Sequence, residues 1–134
     1  MMMIEWEDKY SVGISTIDEE HMKLIGILNK AIIVNEHNDN TEETKDILGD
    51  MIEYSREHFL REETNMLKFK FPEYQLHRKE HLAFTSKTVM SYHNLISGNY
   101  QITNEILEYL KDWLVNHIQV SDKKYANCFN QNYK

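Results

Sequence analysis

Five histidines fall on the apolar faces of what read as four separate helices, and two carboxylates sit close along the chain to two of them. The residues are His21; His58 with Glu62; His77 with His81; and His117 with Asp122. Seven nitrogen and oxygen donors are too many for one ion in a tetrahedral or octahedral site. They suit two ions held side by side, with Glu62 and Asp122 as bridges that offset the repulsion between the cations. Imidazole favours zinc, copper, iron and nickel, whereas carboxylate and solvent oxygen suit harder ions, so the mixed set points to iron. The residues predict a non-haem centre of two iron ions with a solvent-derived oxo or hydroxo bridge. That donor count leaves one ion six-coordinate and the other five-coordinate, with an open position where a small molecule can bind, as in other metal sites that keep a vacancy.

Each part of this pattern has a plainer explanation when taken alone. A single histidine on an apolar stripe is usually a core residue with one hydrogen bond, and His–Glu or His–His pairs four apart are common on solvated helix faces. Five such histidines with two carboxylates are harder to explain as core filler. Each buried polar group left unsatisfied costs about 1–3 kcal/mol, against the roughly 5–15 kcal/mol that stabilises a whole domain. The other two histidines, His37 and His93, read as surface residues. Met22, Met51, Met66 and Met90 read as core filler, and Cys128 as a tail residue outside any ligand spacing.

Four helices must position these ligands. The segment up to about Ser15 lacks helical periodicity, and Trp6, Tyr10, Val12 and Ile14 predict an extended arm packed on the bundle. The first helix reads from about Thr16 to Asn35, with capping-box spacing between Thr16 and Glu19 and the apolar line Leu24, Ile25, Leu28, Ala31 and Ile32 running on from His21. The second reads from about Thr41 to Lys68, with Asn40 and Glu43 as its start signal. Its inner stripe is Ile47, Met51, Tyr54 or Ser55, His58, Glu62 and Met66. The third begins at Pro72, carries His77, His81, Phe84, Thr88 and Leu95 inward, and ends near Ser97 with Gly98 as cap. The fourth runs from about Ile102 to Ile118 through Ile106, Tyr109 or Leu110, Trp113 and His117. Short connections predict antiparallel neighbours.

One pair conflicts with this geometry. Residues five apart on a regular α-helix point about 140° apart, so His117 and Asp122 cannot share a site on an unbroken one. A break or bulge between Ile118 and Ser121 is required, with Ser121 capping a short closing helix from Asp122 to about Phe129. The expected fold is all-α: an antiparallel up-down-up-down four-helix bundle with an extended N-terminal arm and a short C-terminal helix, as one domain over residues 1–134.

Composition agrees with this fold. Glycine (4) and proline (1) are scarce in 134 residues, which favours helices over a sandwich or barrel. A formal net charge of −7 argues against a nucleic-acid partner, which calls for a basic patch. The single cysteine cannot close an intramolecular disulfide, so a reducing cytoplasmic setting is the default. The first ten residues lack a signal-peptide pattern, and no apolar run approaches the roughly 20 residues of a membrane span.

The ordered pattern HMKLIGILN, HFLRE, HRKEH and HIQVSD resembles the hemerythrin family, in particular its bacterial single-domain members. The run GISTIDEEH, the aromatic opening with Trp6, and Trp113 ahead of His117 extend the resemblance from Trp6 to about Phe129. It implies that His77, His81 and His117 hold the six-coordinate iron, His21 and His58 the five-coordinate one, and that Glu62 and Asp122 bridge. The implied activity is reversible binding of dioxygen for storage, delivery or scavenging, without catalysis. Ile25, Leu28, Trp113 and Leu114, each one to two turns from a ligand, are the candidate walls of an oxygen pocket. Two other classes stay open: a sensor acting through a separate protein partner, and a di-iron oxidase, peroxidase or nitric oxide reductase. Ferritin-type enzymes use Glu-x-x-His pairs, and this chain has none.

Overall fold

The computed structural model describes residues 3–36, 41–98 and 104–132. The arm is followed by α1 (Ser15–Glu36), α2 (Thr41–Lys68), α3 (Tyr74–Ile96), α4 (Asn104–Asn116), a π-helical turn (His117–Asp122) and α5 (Lys123–Asn132). Side-chain pairs between helices show that neighbours run antiparallel. Glu20 early in α1 meets Arg61 late in α2, Glu63 late in α2 meets His81 early in α3, and Asn35 at the end of α1 meets Asn104 at the start of α4. The four-helix bundle expected from periodicity is the fold observed.

Two apolar clusters fill it. The larger holds Leu24, Leu28, Ile32, Leu48, Met51, Phe59, Phe84, Leu110, Leu114 and Ile118. The smaller, at the closing end, holds Val12, Ile17, Met66, Phe71, Tyr125 and Ala126. The ligand candidates fall between them along the chain. His21 lies between Ile17 and Leu24, Glu62 between Phe59 and Met66, His77 and His81 between Phe71 and Phe84, and His117 between Leu114 and Tyr125. They form a polar layer with an apolar cluster on either side.

The arm packs as expected, with Tyr10 and Val12 buried, though it includes one 3-10 turn over Asp8–Tyr10. Asn29 of α1 clasps it at two points: its side chain accepts from the Ile4 N–H and donates to the Ile4 carbonyl, both at 2.9 Å. The capping box does not organise the start of α1, because Thr16 already lies inside the first turn. Asp18 accepts instead from the Ser11 hydroxyl and the Val12 N–H, joining arm to helix.

The third helix starts two residues later than expected. Pro72 sits in the connecting turn rather than in the helix. What stops α2 is a backbone motif that sequence inspection did not find. Lys70 takes a left-handed φ of 56°, the Phe71 N–H bonds back to the Met66 carbonyl at 2.8 Å, and the Lys70 N–H bonds to that of Leu67 at 3.3 Å. That pairing satisfies the last carbonyls of a helix and turns Phe71 into the smaller cluster. Gly98, at φ 73°, ends α3 as expected. Met51 and Met66 are core residues, but Met22 and Met90 are exposed, since both fall off their helices' inner stripes. His93 is exposed as expected. His37 and Asn40 lie outside the described residues.

Candidate metal centre

The bundle brings all seven ligand candidates into one layer, and none is more than 3% exposed. Asp122 stands at its centre. Its Oδ1 lies 3.1 Å from His77 Nε2 and 3.2 Å from His117 Nε2, while its Oδ2 lies 3.0 Å from His21 Nε2. Glu62 Oε1 lies 3.1 Å from His58 Nε2 and 3.5 Å from His81 Nε2. Two overlapping groups result, each compact enough for a metal ion: Glu62, His77, His81, His117 and Asp122 in one, His21, His58 and Glu62 in the other. Glu62 belongs to both, and Asp122 reaches His21 through its second oxygen. Each carboxylate therefore spans the two histidine sets, as bridges must.

The π-helical turn brings His117 and Asp122 together. Its hydrogen bonds run from i to i+5, so residues five apart share a face. His117 and Asp122 are its first and last residues. The chain on both sides keeps α geometry, with Asn116 at φ −66°, ψ −42° and Lys123 at φ −64°, ψ −41°. The expected irregularity is present, but it is a bulge inside a continuous helical run rather than a break. The expected closing helix is present as α5 and continues the same helical run from Lys123. Ser121 does not cap it; its hydroxyl donates to Glu80 Oε1 of α3 at 2.7 Å.

A metal fits these residues. Among the described residues, seven buried side-chain atoms lack a hydrogen-bond partner: His21 Nδ1 and Nε2, His58 Nδ1, both Glu62 oxygens, His77 Nε2 and Asp122 Oδ1. Four of them sit within 3.5 Å of another polar atom of the layer without making a hydrogen bond to it. Native interiors rarely leave such groups unpaired without an ion or water.

Carboxylates on neighbouring helices orient the rings from behind. His81 Nδ1 donates to Glu63 Oε2 and His117 Nδ1 donates to Glu80 Oε1, each at 2.8 Å. Glu20 Oε1 stands 3.4 Å from His58 Nδ1 and is also held by Arg61. A carboxylate that takes the Nδ1 proton leaves Nε2 as the donor atom and fixes the ring's orientation. Burial would lower the His58 and His117 imidazoles, but their carboxylate partners outweigh it and hold both at about 10. Burial pushes His81 down to about 3 against the pull of Glu62. The His58 imidazole 3.4 Å away holds Glu20 down at about 2, and the hydrogen bond from His117 holds Glu80 at about 2. These carboxylates favour the protonated rings, so an incoming cation would compete with protons for His58 and His117.

Aromatic rings brace the same imidazoles. Phe59 stacks on His81 at 3.9 Å between centroids, and Trp113 stacks on His117 at 4.4 Å. Of the four candidate pocket residues, Ile25, Leu28 and Leu114 are buried in the larger cluster, and Trp113 is partly buried against it. Sequence inspection missed Glu20, Glu63, Glu80 and Phe59. Each is the immediate chain neighbour of a ligand, about 100° around the helix from it, which places it toward an adjoining helix. That adjacency was the available signal. The sequence offered no means of choosing among the many other glutamates.

Residues 12–129 match the family model described as Hemerythrin HHE cation binding domain. A bacteriohemerythrin of Clostridium acetobutylicum is 32% identical, over 93% of this chain and 100% of its own. One of Stenotrophomonas maltophilia is 28% identical, over 95% of this chain and 82% of its own. The fold superposes on a crystal structure of wild-type hemerythrin with a TM-score of 0.87 at 25% identity, covering 95% of this chain and 98% of that one.

Proposed function

Because this chain belongs to the hemerythrin family, we propose that it binds dioxygen reversibly at a non-haem di-iron centre, as a binding protein rather than an enzyme. The observation that carries this reading is the sealed layer of unpaired imidazole and carboxylate atoms, with both carboxylates shared between the two histidine sets. In it His77, His81 and His117 hold one ion, His21 and His58 the other, and Glu62 and Asp122 bridge them. The set with fewer histidines has the open position. Two bound irons would supply the electrons that dioxygen takes up on binding and returns on release.

The chain's own residues make reversibility possible. Glu63 and Glu80 hold the His81 and His117 rings with Nε2 inward. Phe59 and Trp113 keep those rings from rotating. Ile25, Leu28 and Leu114 place apolar surface beside the layer, which excludes water and the protons it brings. Among the described residues no helix is long and apolar enough to cross a membrane.

Elemental analysis and visible spectra in and out of air test the proposal. Protein from iron-replete cells should hold about two irons per chain, the number two adjoining sites of this donor type accept. Reduced protein should be nearly colourless without air, develop a visible band in air, and lose it when oxygen is removed. One metal per chain, or oxidation in air that cannot be reversed, overturns the reading.

The pocket has its own test. Leu114, 2% exposed, precedes His117 by one turn, and helical side chains lean toward the N-terminus, along the layer's wall. Leu114→Ala should leave a cavity, destabilise the fold by about 2–5 kcal/mol, keep both irons, and let the oxygenated form decay several-fold faster as water enters. Decay at the parent's rate with iron intact would mean that Leu114 does not line the pocket.

A further inference from the structure

The π turn is the least regular backbone in the site, and it is tied to α3 by a residue outside the ligand set. Such turns account for well under 1% of residues in globular proteins, and they persist where something holds them. Glu80 Oε1 accepts from His117 Nδ1 at 2.8 Å and from the Ser121 hydroxyl at 2.7 Å. These donors are the first and fifth residues of the six-residue turn. A single oxygen on α3 therefore grips both ends of it. Glu80 precedes His81 in the chain, so the backbone that presents one ligand also carries the grip on another. The contact sits at the edge of a surface groove of about 180 Å³ lined in part by His77, Glu80, Val120 and Ser121. Glu80 is 32% exposed there, whereas no ligand candidate exceeds 3%.

We propose that Glu80 and Ser121 are positioning residues: they hold the π turn in the register that points Asp122 into the layer, so the bridging carboxylate is in place before a metal arrives. Without this grip, relaxation of the turn to α geometry would move Asp122 about 140° around the helix from His117. The Ser121 hydroxyl is specific to this role. It touches neither His117 nor Asp122 among the described contacts, and it acts on them only through Glu80 and the backbone. The other backing carboxylates, Glu20 and Glu63, bond to α2 and α3 and leave the turn untouched.

This deepens the di-iron reading and rests on it for its metal arm, but not for its backbone arm. Glu80→Ala, Glu80→Gln and Ser121→Ala would be compared with the parent by amide hydrogen exchange across residues 117–123 and by the rate of iron release to a chelator. Glu80→Gln removes the charge but keeps an oxygen that can accept both bonds. It should match the parent's exchange and release within about twofold. Ser121→Ala loses one hydrogen bond to an ionised carboxylate, and should raise exchange in the turn and iron release by about tenfold. Glu80→Ala should raise release by about 10–100-fold, the range for removing a residue that orients a metal ligand. The idea is overturned if Glu80→Gln behaves like Glu80→Ala, because charge and not the grip would then be responsible. It is equally overturned if Ser121→Ala exchanges and releases iron like the parent. A parent chain that holds no iron defeats the metal reading instead, while the exchange comparison still decides the grip.

Discussion

Asp122→Ala protein should leave purification with no more than one iron per chain, and so should Glu62→Ala. The reason is electrostatic and specific to these two positions. Two divalent cations a few ångströms apart repel strongly, and in a layer this dry little solvent screens them. Asp122 lies within 3.2 Å of three imidazoles from both sets, and Glu62 faces one from each. Removing either carboxylate takes away a negative charge and a shared donor together, and the remaining imidazoles are neutral when they ligate. His93→Ala is the control, because His93 is exposed and far along α3 from the layer; it should keep the parent's iron. Iron measured on matched preparations decides the matter. Two irons retained in either carboxylate variant would mean that the bridges are misassigned.

Stripping the metal should cost the fold heavily, which is the second large effect. The metal-free layer contains buried imidazole and carboxylate atoms with no partner, and each such group costs about 1–3 kcal/mol. A ligand at a thousandfold excess over its Kd stabilises the folded chain by about 4 kcal/mol, which for a domain of this size corresponds to a Tm shift of about 10–20 °C. Thermal melts of iron-loaded and chelator-stripped protein should differ by that much, with the stripped form lower. Amide exchange in the stripped form should rise most around His58 and His77, at the level of the layer. Identical melting with and without iron would mean that the polar layer is satisfied by something other than metal.

The candidate ligands were legible because a metal site built on helices has a local signature. His58 with Glu62 and His77 with His81 share a face through backbone geometry alone, whatever the rest of the chain does. The apolar residues at the same period, such as Leu24 and Leu28 or Met51 and Met66, show which face turns inward. The conflict between His117 and Asp122 was equally local: a five-residue spacing cannot serve one site on an α-helix, so an irregularity had to lie between them.

Its form was not local. A break with a capped closing helix and a π turn inside a continuous helix both re-aim Asp122, and Ser121 suits either. Glu80 on another helix selects the second by engaging the Ser121 hydroxyl. The same limit explains the other omissions. Glu20, Glu63 and Phe59 act across helix interfaces, and their partners depend on how far each helix is rotated and slid against its neighbour. Met22 and Met90 are exposed because both fall off their helices' inner stripes, a signal the periodicity already carried. Lys70, two residues past the end of α2, adopts a left-handed conformation without glycine or asparagine to announce it. The sequence by itself determined the candidate metal donors, the helices that carry them and the faces they share, because helical periodicity is set within a few residues. Only the tertiary structure decided which carboxylates orient those donors and how the last one is turned inward, because those contacts form between residues far apart in the chain.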